Sequence, residues 1–272
     1  MYLKDILKQY NVKPNKRLGQ NFLISEYHLN KIIDSMAIED GGSILEIGSG
    51  SGNLTRVLAK DATSVIAIEK DVRLFDVLTD IFKESPNVSL INADFLAIDL
   101  KSYFNKYGLL RIVGNLPYYI STQIIEKIIE NRKIIKDGYL MLQREYVERM
   151  IAVSGSKKYG RLSIFAQTFL NLKRLFKVPK SCFYPQPKVD SYFISFNIKD
   201  DCIIEDAALL SLVTSEFFQK RRKKITTIIK NSKILTGLNI ASVMYNLGID
   251  LNQRPEQLSV CKYIDIVKNM EG

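Results

Sequence analysis

The chain has 272 residues, 46% apolar and 25% charged, which excludes a disordered or fibrous protein and is ample for a sizeable core. Its 39 Lys and Arg outnumber 29 Asp and Glu to give a formal charge of +10, so a polyanionic partner, most simply nucleic acid, is expected. No apolar run reaches membrane-spanning length, Met1 to Tyr10 has no long apolar core, and Cys182, Cys202 and Cys261 are odd in number and lack any C-x-x-C pattern; the chain reads as cytoplasmic, with no membrane span, leader, disulfide framework or zinc site.

The basic residues cluster at Lys13, Lys16 and Arg17, at Lys157, Lys158 and Arg161, at Lys173, Arg174, Lys177 and Lys180, and in the unbroken run Lys220 to Lys224. A solvated surface explains any one cluster equally well. The single histidine, His28, argues against His-dependent triads and His-rich metal sites. It reads as a surface residue of a helix capped by Ser25, without a role.

In chain order, residues 14–23, from Pro14 through Gln20 and Asn21 to Leu23, mix basic, polar and aromatic types without periodicity. They form an arm that either folds over a ligand or packs on the core. A helix carrying Leu29, Ile32, Ile33 and Met36 follows. Next come a short strand (Ser43 to Ile47), a turn with Gly48, Gly50 and Gly52, and a helix carrying Leu54, Val57 and Leu58. Glycines let the backbone pass close to a ligand whose polar groups meet free N–H groups at the helix start. The glycines alternate, and Asn53 stands where a dinucleotide fingerprint needs a small residue.

A second strand (Ser64 to Ile68) ends at Glu69, 21 residues beyond Gly48. Its carboxylate can accept both hydroxyls of a ribose, or merely cap the following helix, Val72 to Phe82. A third strand (Val88 to Ile91) leads to Asp94, which suits a cofactor's adenine amine or a plain turn. A fourth strand, the run Leu109 to Val113, delivers Asn115-Leu116-Pro117-Tyr118-Tyr119, and Ser121 then caps a helix through Ile124, Ile125, Ile128 and Ile129. Asn and Pro serve a tight turn equally well. As a site, the Asn115 carbonyl and a backbone carbonyl near Leu116 or Pro117 would accept both N–H bonds of an exocyclic amine, with Tyr118 stacked on the ring. Gly48, Glu69, Asp94 and Asn115 thus end successive strands at one sheet edge, where ligands collect in open α/β sheets.

A fifth strand (Gly138 to Leu142), a charged helix (Gln143 to Met150) and a basic loop entering a helix (Ser154 to Ser163) follow, then a strand from Leu175 to Val178. In the loop Ser181 to Ser191, Pro185 and Pro187 stiffen the chain beside Phe183, which is either a core residue or, with Tyr118, one half of a sandwich around an extruded base. The last strand is Tyr192 to Ile198. After Lys199-Asp200-Asp201 helical periodicity takes over through Leu209, Val213, Phe217, Ile225 and Ile229, which puts a domain boundary near residue 200. The run Lys220 to Lys224 lies between helices, well placed to grip phosphates.

The glycine pattern with Glu46 ahead of it is similar to motif I of S-adenosylmethionine-dependent methyltransferases. Together with the arm Leu18 to Leu23, Asn115 to Tyr118, Gly155 to Ser163, Phe183 to Ser191 and Arg221-Arg222-Lys223, it resembles the ribosomal RNA adenine dimethyltransferases of the KsgA/RsmA type over nearly the whole chain. The resemblance implies an α/β, Rossmann-like S-adenosylmethionine-dependent methyltransferase domain (1–199) followed by a small all-helical RNA-binding domain (200–272). It implies that Gln20, Asn21, Leu23, Gly48, Gly50, Glu69, Asp94 and Asn115 hold the cofactor, that Asn115, Pro117, Tyr118 and Phe183 handle adenine, and that Arg221, Arg222 and Lys223 bind RNA. No metal is implied. The substrate would be two adjacent adenosines near the 3′ end of small-subunit (16S) ribosomal RNA, each dimethylated, on an immature small ribosomal subunit met by a monomer. Rival readings are a large-subunit ribosomal RNA methyltransferase conferring macrolide resistance, a non-catalytic ribosome-assembly factor and, third, a nicotinamide dehydrogenase.

Overall fold

A computed structural model describes residues 9–38, 42–199, 204 and 206–271. Lys199-Asp200-Asp201, where the boundary is expected, runs out of them after Lys199, and Cys202 lies outside them as well.

The first half alternates strand and helix. After a short strand β1 (Phe22–Leu23) come α1 (Glu26–Met36), β2 (Ser43–Ile47), α2 (Asn53–Asp61), β3 (Ser64–Glu69), α3 (Val72–Ile81), β4 (Val88–Asn92), α4 (Leu100–Tyr107), β5 (Leu110–Asn115), α5 (Ser121–Glu130) and β6 (Ile135–Gln143). Then follow α6 (Arg144–Met150), α7 (Arg161–Phe169), β7 (Leu170–Val178), β8 (Phe183–Tyr184) and β9 (Ser191–Ile198).

One seven-stranded sheet has the order β4-β3-β2-β5-β6-β9-β7. From β4 to β6 neighbouring strands are parallel, whereas β9 runs antiparallel to β6. The inner strands of such a sheet are covered on both faces and read as nearly continuous apolar runs. Ile44, Leu45, Val65, Ile66, Ala67, Ile112 and Val113 accordingly have no exposed surface. The order reverses between β2 and β5, which opens a crevice at their carboxyl ends.

Local chemistry sets the helix ends. Ser25 caps α1 and Asp71 caps α3, each side chain accepting a first-turn N–H. Ser121 does not cap α5: the helix begins at Ser121 itself, after a 3₁₀ turn Tyr118–Ile120, and its hydroxyl donates to the Pro117 carbonyl at 3.1 Å. A serine hydroxyl so close to a turn carbonyl competes with its own capping role.

By contacts the chain divides into Met1–Arg144 with Lys173–Ile198, and Glu145–Leu172 with Lys199–Gly272. A single cut at 199/200 therefore does not describe it, because residues 145–172 join the C-terminal helices. The cause is burial: α7 hides Ile164, Phe165, Ala166 and Phe169, and within the second unit it packs on α8 (Ala207–Gln219) and on the last helix of the chain, Val260–Glu271. Between these lie α9 (Ile225–Lys230), α10 (Lys233–Gly237) and α11 (Ile240–Asn246), and Val260–Glu271 is α12. Among the described residues no helix is long and apolar enough to cross a membrane.

At the amino end of the sheet, Arg111 on β5 forks onto Asp137 on β6 with two 2.8 Å bonds and also donates to the Met36 carbonyl at 2.9 Å, tying the end of α1 to the sheet. Both side chains are largely buried, at 14% and 10% exposure. Arg111→Met should cost about 3 kcal/mol in chemical denaturation, because Asp137 is left charged without its partner. Arg111→Met with Asp137→Leu should recover most of that loss, and a single variant as stable as the parent would refute the account.

Candidate active site

Beyond Ile47 the chain turns through Gly48, Gly50 and Gly52 with φ of 70°, 58° and 78°, left-handed values that side chains rarely adopt. The Gly48 and Ser49 N–H groups donate to the Ile68 carbonyl at 2.9 and 3.0 Å, which fixes the loop to β3. A Cβ at Gly52 would lie 2.8 Å from Leu78 and 2.9 Å from Phe82, so that glycine serves helix packing. A Cβ at Gly48 would meet nothing within 4 Å. It would enter open space on the cleft wall, where a ligand can approach the backbone.

Glu69, Asp94 and Glu46 line cavities that this loop also lines, and Asp71 stands just beyond Glu69. Glu69, 6% exposed, accepts the Gly50 N–H at 2.7 Å on one oxygen and the Asp71 N–H at 2.8 Å on the other. Burial pushes its carboxyl above the usual range, and the backbone bonds temper the rise. Each oxygen keeps a further lone pair for a hydroxyl donor. Helix α3 is capped by Asp71 instead, and Asp71 also takes the Gln20 amide at 2.9 Å. Asp94 accepts from Lys70 Nζ at 2.7 Å and the Leu96 N–H at 2.9 Å. Burial works to raise its carboxyl, but these two donors outweigh it and hold the group below its ordinary value. Glu46, 1% exposed, accepts the Thr55 hydroxyl at 2.6 Å. Desolvation, against that hydrogen bond and aided by the charge of Glu69, pushes it up to about 7.

The Asn115 segment forms the facing wall. Asn115 Nδ2 donates to the Asn21 carbonyl at 2.7 Å, and Asn21 Nδ2 donates to the Gly19 carbonyl at 3.0 Å. An amide that presents its NH₂ to a carbonyl keeps its own oxygen as an acceptor for something else. The Leu116 N–H donates to the Met141 carbonyl at 3.1 Å, anchoring the turn to β6. Pro117 C=O already accepts the Ser121 hydroxyl and the Ile120 N–H, at 3.1 and 3.3 Å. Tyr118 OH lies 3.2 Å from Ser191 Oγ, and burial raises its phenol above the ordinary value.

Gln20, Asn21, Gly48, Gly50, Glu69, Asp94, Asn115, Pro117 and Tyr118 all line one cleft, a concave site of the kind that takes small ligands. Phe22, Lys70, Phe95 and Tyr119 line it too and were not singled out from the sequence. Of these Phe22 lies inside the arm Leu18 to Leu23, Tyr119 closes the Asn115 motif, and Lys70 and Phe95 directly follow Glu69 and Asp94. Leu23 lines an adjoining cavity with Glu46, Asn53 and Asn115. Phe183 is placed differently from the expected sandwich: it is 3% exposed, pairs with Leu23 in the β1–β8 ribbon, sits in a core cluster and is not on the cleft wall.

Nor does the second unit present Arg221, Arg222 and Lys223 alike. Arg222 and Lys223 are exposed. Arg221 is half-buried and committed internally, through Nε to Glu256 and through its two terminal nitrogens to the carbonyls of Lys157 and Ser156. Of the three, Arg221 is thus the one whose guanidinium already has partners within the second unit.

The profile of the family described as "Ribosomal RNA adenine dimethylase" matches residues 11–271. Ribosomal RNA small subunit methyltransferase A of Alkaliphilus oremlandii is 37% identical over 273 residues, covering 98% of this chain and 95% of its own. The protein of that name from Fusobacterium nucleatum subsp. nucleatum is 36% identical, covering 96% and 98%. A dimethyladenosine transferase from Plasmodium falciparum superposes with a TM-score of 0.80 at 26% identity, over 91% of this chain and 96% of that one. The 23S rRNA methyltransferase ErmE shares the fold, with a TM-score of 0.66 at 21% identity over 92% and 100% of the two chains.

Glu46 gives the stability a definite pH dependence. Its folded-state value near 7 against 4.5 when unfolded means that the folded chain holds a proton the unfolded chain has lost. That contribution is full below about pH 4.5 and gone once the pH has risen through about 7, an effect of up to about 3 kcal/mol. Urea titrations from pH 4.5 to 8 should show Glu46→Gln gaining on the parent by that amount as pH rises. A constant difference across the window would refute it.

Proposed function

This chain belongs to the ribosomal RNA adenine dimethylase family, and on that footing we propose that it methylates, twice each, the exocyclic nitrogens of two adjacent adenosines near the 3′ end of small-subunit ribosomal RNA. It is an S-adenosylmethionine-dependent rRNA adenine dimethyltransferase. The observation that carries the reading is the Asn115 amide. Its NH₂ is held by Asn21 O, and its oxygen remains as an acceptor at the sheet edge that also bears Gly48, Glu69 and Asp94.

S-adenosylmethionine fits the residues present: the open space at Gly48 suits close approach of a ligand to the backbone, Glu69 has lone pairs for ribose hydroxyls, and Asp94 has capacity for an amine. When bound, it supplies an electrophilic methyl group on a sulfonium. Gln20, through Asp71, keeps the arm against the turn that follows Glu69.

An exocyclic amine on adenine is a poor nucleophile because its lone pair is delocalised into the ring. Asn115 Oδ1 and a backbone carbonyl would accept its two N–H bonds, pulling the nitrogen toward tetrahedral geometry and aiming the pair. Since the Pro117 carbonyl already takes two donors, the Leu116 carbonyl is the better second acceptor. Tyr118, its hydroxyl near Ser191, offers a ring face for stacking. Transfer renders the remaining N–H acidic, so these residues need only position the amine and stabilise charge, without a strong base.

RNA would be held by exposed basic residues of the second unit, Arg222 and Lys223 among them, within an immature small subunit in the cytoplasm, the enzyme acting as a monomer. The curated relatives at 36 and 37% identity carry the small-subunit name, whereas the likeness to ErmE is one of fold. That favours the small-subunit substrate over the macrolide-resistance and non-catalytic readings.

Purified chain, labelled cofactor and undermethylated small subunits should yield label in dimethyladenosine of 16S RNA; label confined to large-subunit RNA, or none, would overturn the proposal. Asn115→Ala should lower turnover by at least about 100-fold with RNA affinity within about twofold of the parent. Full turnover in that variant would remove Asn115 from the chemistry.

A further inference from the structure

The second unit carries basic residues on segments far apart in sequence: Lys157 and Lys158 in the loop before α7, and Lys220 to Lys224 in the turn between α8 and α9. Neither segment is held by regular secondary structure along its length. Two separate mobile clusters would grip a rigid polyanion poorly, because each must be ordered on binding.

Arg221 joins them. Its Nη1 donates to Lys157 O at 2.9 Å and its Nη2 to Ser156 O at 3.1 Å, while Nε bonds the Glu256 carboxylate. Glu256 completes the link from its backbone, accepting the Gly155 N–H at 2.7 Å. The region is pinned on both flanks. Tyr159, wholly buried, donates its hydroxyl to Leu258 O at 2.9 Å, and the Ile225 and Thr226 N–H groups donate to Gln253 O and Leu251 O at 2.9 Å each. A planar guanidinium is suited to this because its N–H groups point in fixed directions, whereas an ammonium carries charge without that geometry.

We infer that Arg221 and Glu256 form a bracket that fuses the loop 155–158 and the run 220–224 into one preorganised face for the phosphodiester backbone of RNA, with Lys157, Arg222 and Lys223 as its exposed cations. Arg221 is a positioning residue and not a phosphate contact. The inference rests on the proposal above that the second unit binds RNA. It extends that surface to a loop some 65 residues earlier in the chain.

Two substitutions separate bracket from direct contact. If Arg221 simply bound phosphate, Arg221→Lys would keep the charge and most of the affinity, and Glu256→Gln would strengthen binding by deleting a negative charge beside it. With a bracket, both variants bind a small-subunit RNA fragment on the order of tenfold more weakly. Both also expose the Lys157 and Lys158 bonds to trypsin in the absence of RNA, while far-UV circular dichroism stays that of the parent. Unchanged tryptic cleavage, or an affinity retained in Arg221→Lys or raised in Glu256→Gln, overturns the bracket. Separately, replacing Lys157, Arg222 and Lys223 with alanine should make the slope of log affinity against log salt shallower by about 2. An unchanged slope there overturns the RNA-binding face itself, whatever the proteolysis shows.

Discussion

One hydrogen bond organises the cleft: the Asn115 amide to the backbone carbonyl of Asn21, across 94 residues of chain. It pins an arm with almost no regular structure to the end of the central strand β5. It also decides which end of the amide is left for a ligand. The other wall obeys a similar constraint, since Glu69 holds the glycine loop by the Gly50 N–H and the start of the next turn by the Asp71 N–H. A buried carboxylate tolerates its environment only with such donors. The site is therefore preorganised by backbone contacts to the same side chains that would meet the ligand.

Much of this was legible in the sequence because parallel strands buried on both faces must be runs of apolar residues. Ile44-Leu45, Val65-Ile66-Ala67-Ile68 and Ile112-Val113 are such runs, and the residue that ends each is then placed at the sheet edge without knowledge of the fold. Gly48, Glu69 and Asn115 follow from that alone, whereas Asp94 lies two residues beyond β4, whose apolar residues are only partly buried. Ser121 was misplaced because a hydroxyl at a turn can cap a helix or bond back to a carbonyl, and sequence does not distinguish the two. Phe183 was ambiguous for a comparable reason: a phenylalanine beside two prolines suits a core as well as a ligand wall, and only its pairing with Leu23 assigns it.

The second unit was read least well. Nothing local in Arg161–Phe169 says that its apolar face belongs with helices a stretch of sheet later, so the boundary near residue 200 missed residues 145–172. Arg221 illustrates the same limit in charge. An unbroken basic run looks uniform, yet one member meets a carboxylate 35 residues downstream and its neighbour remains exposed. Net charge per segment therefore does not tell which cations of a run are exposed and which are bonded within the fold.

The pair of acceptors proposed for the amine is unequal in stiffness. Leu116 is stapled to β6 by its own N–H, whereas Asn115 offers its oxygen at the tip of a side chain tethered by a single bond to the arm. A nucleobase that returns carrying one methyl has just one hydrogen left on that nitrogen. On the proposed reading, the carbonyl would keep that hydrogen while the side-chain amide would give up its place to the added carbon, and a single cleft would then accept both the bare and the half-finished base.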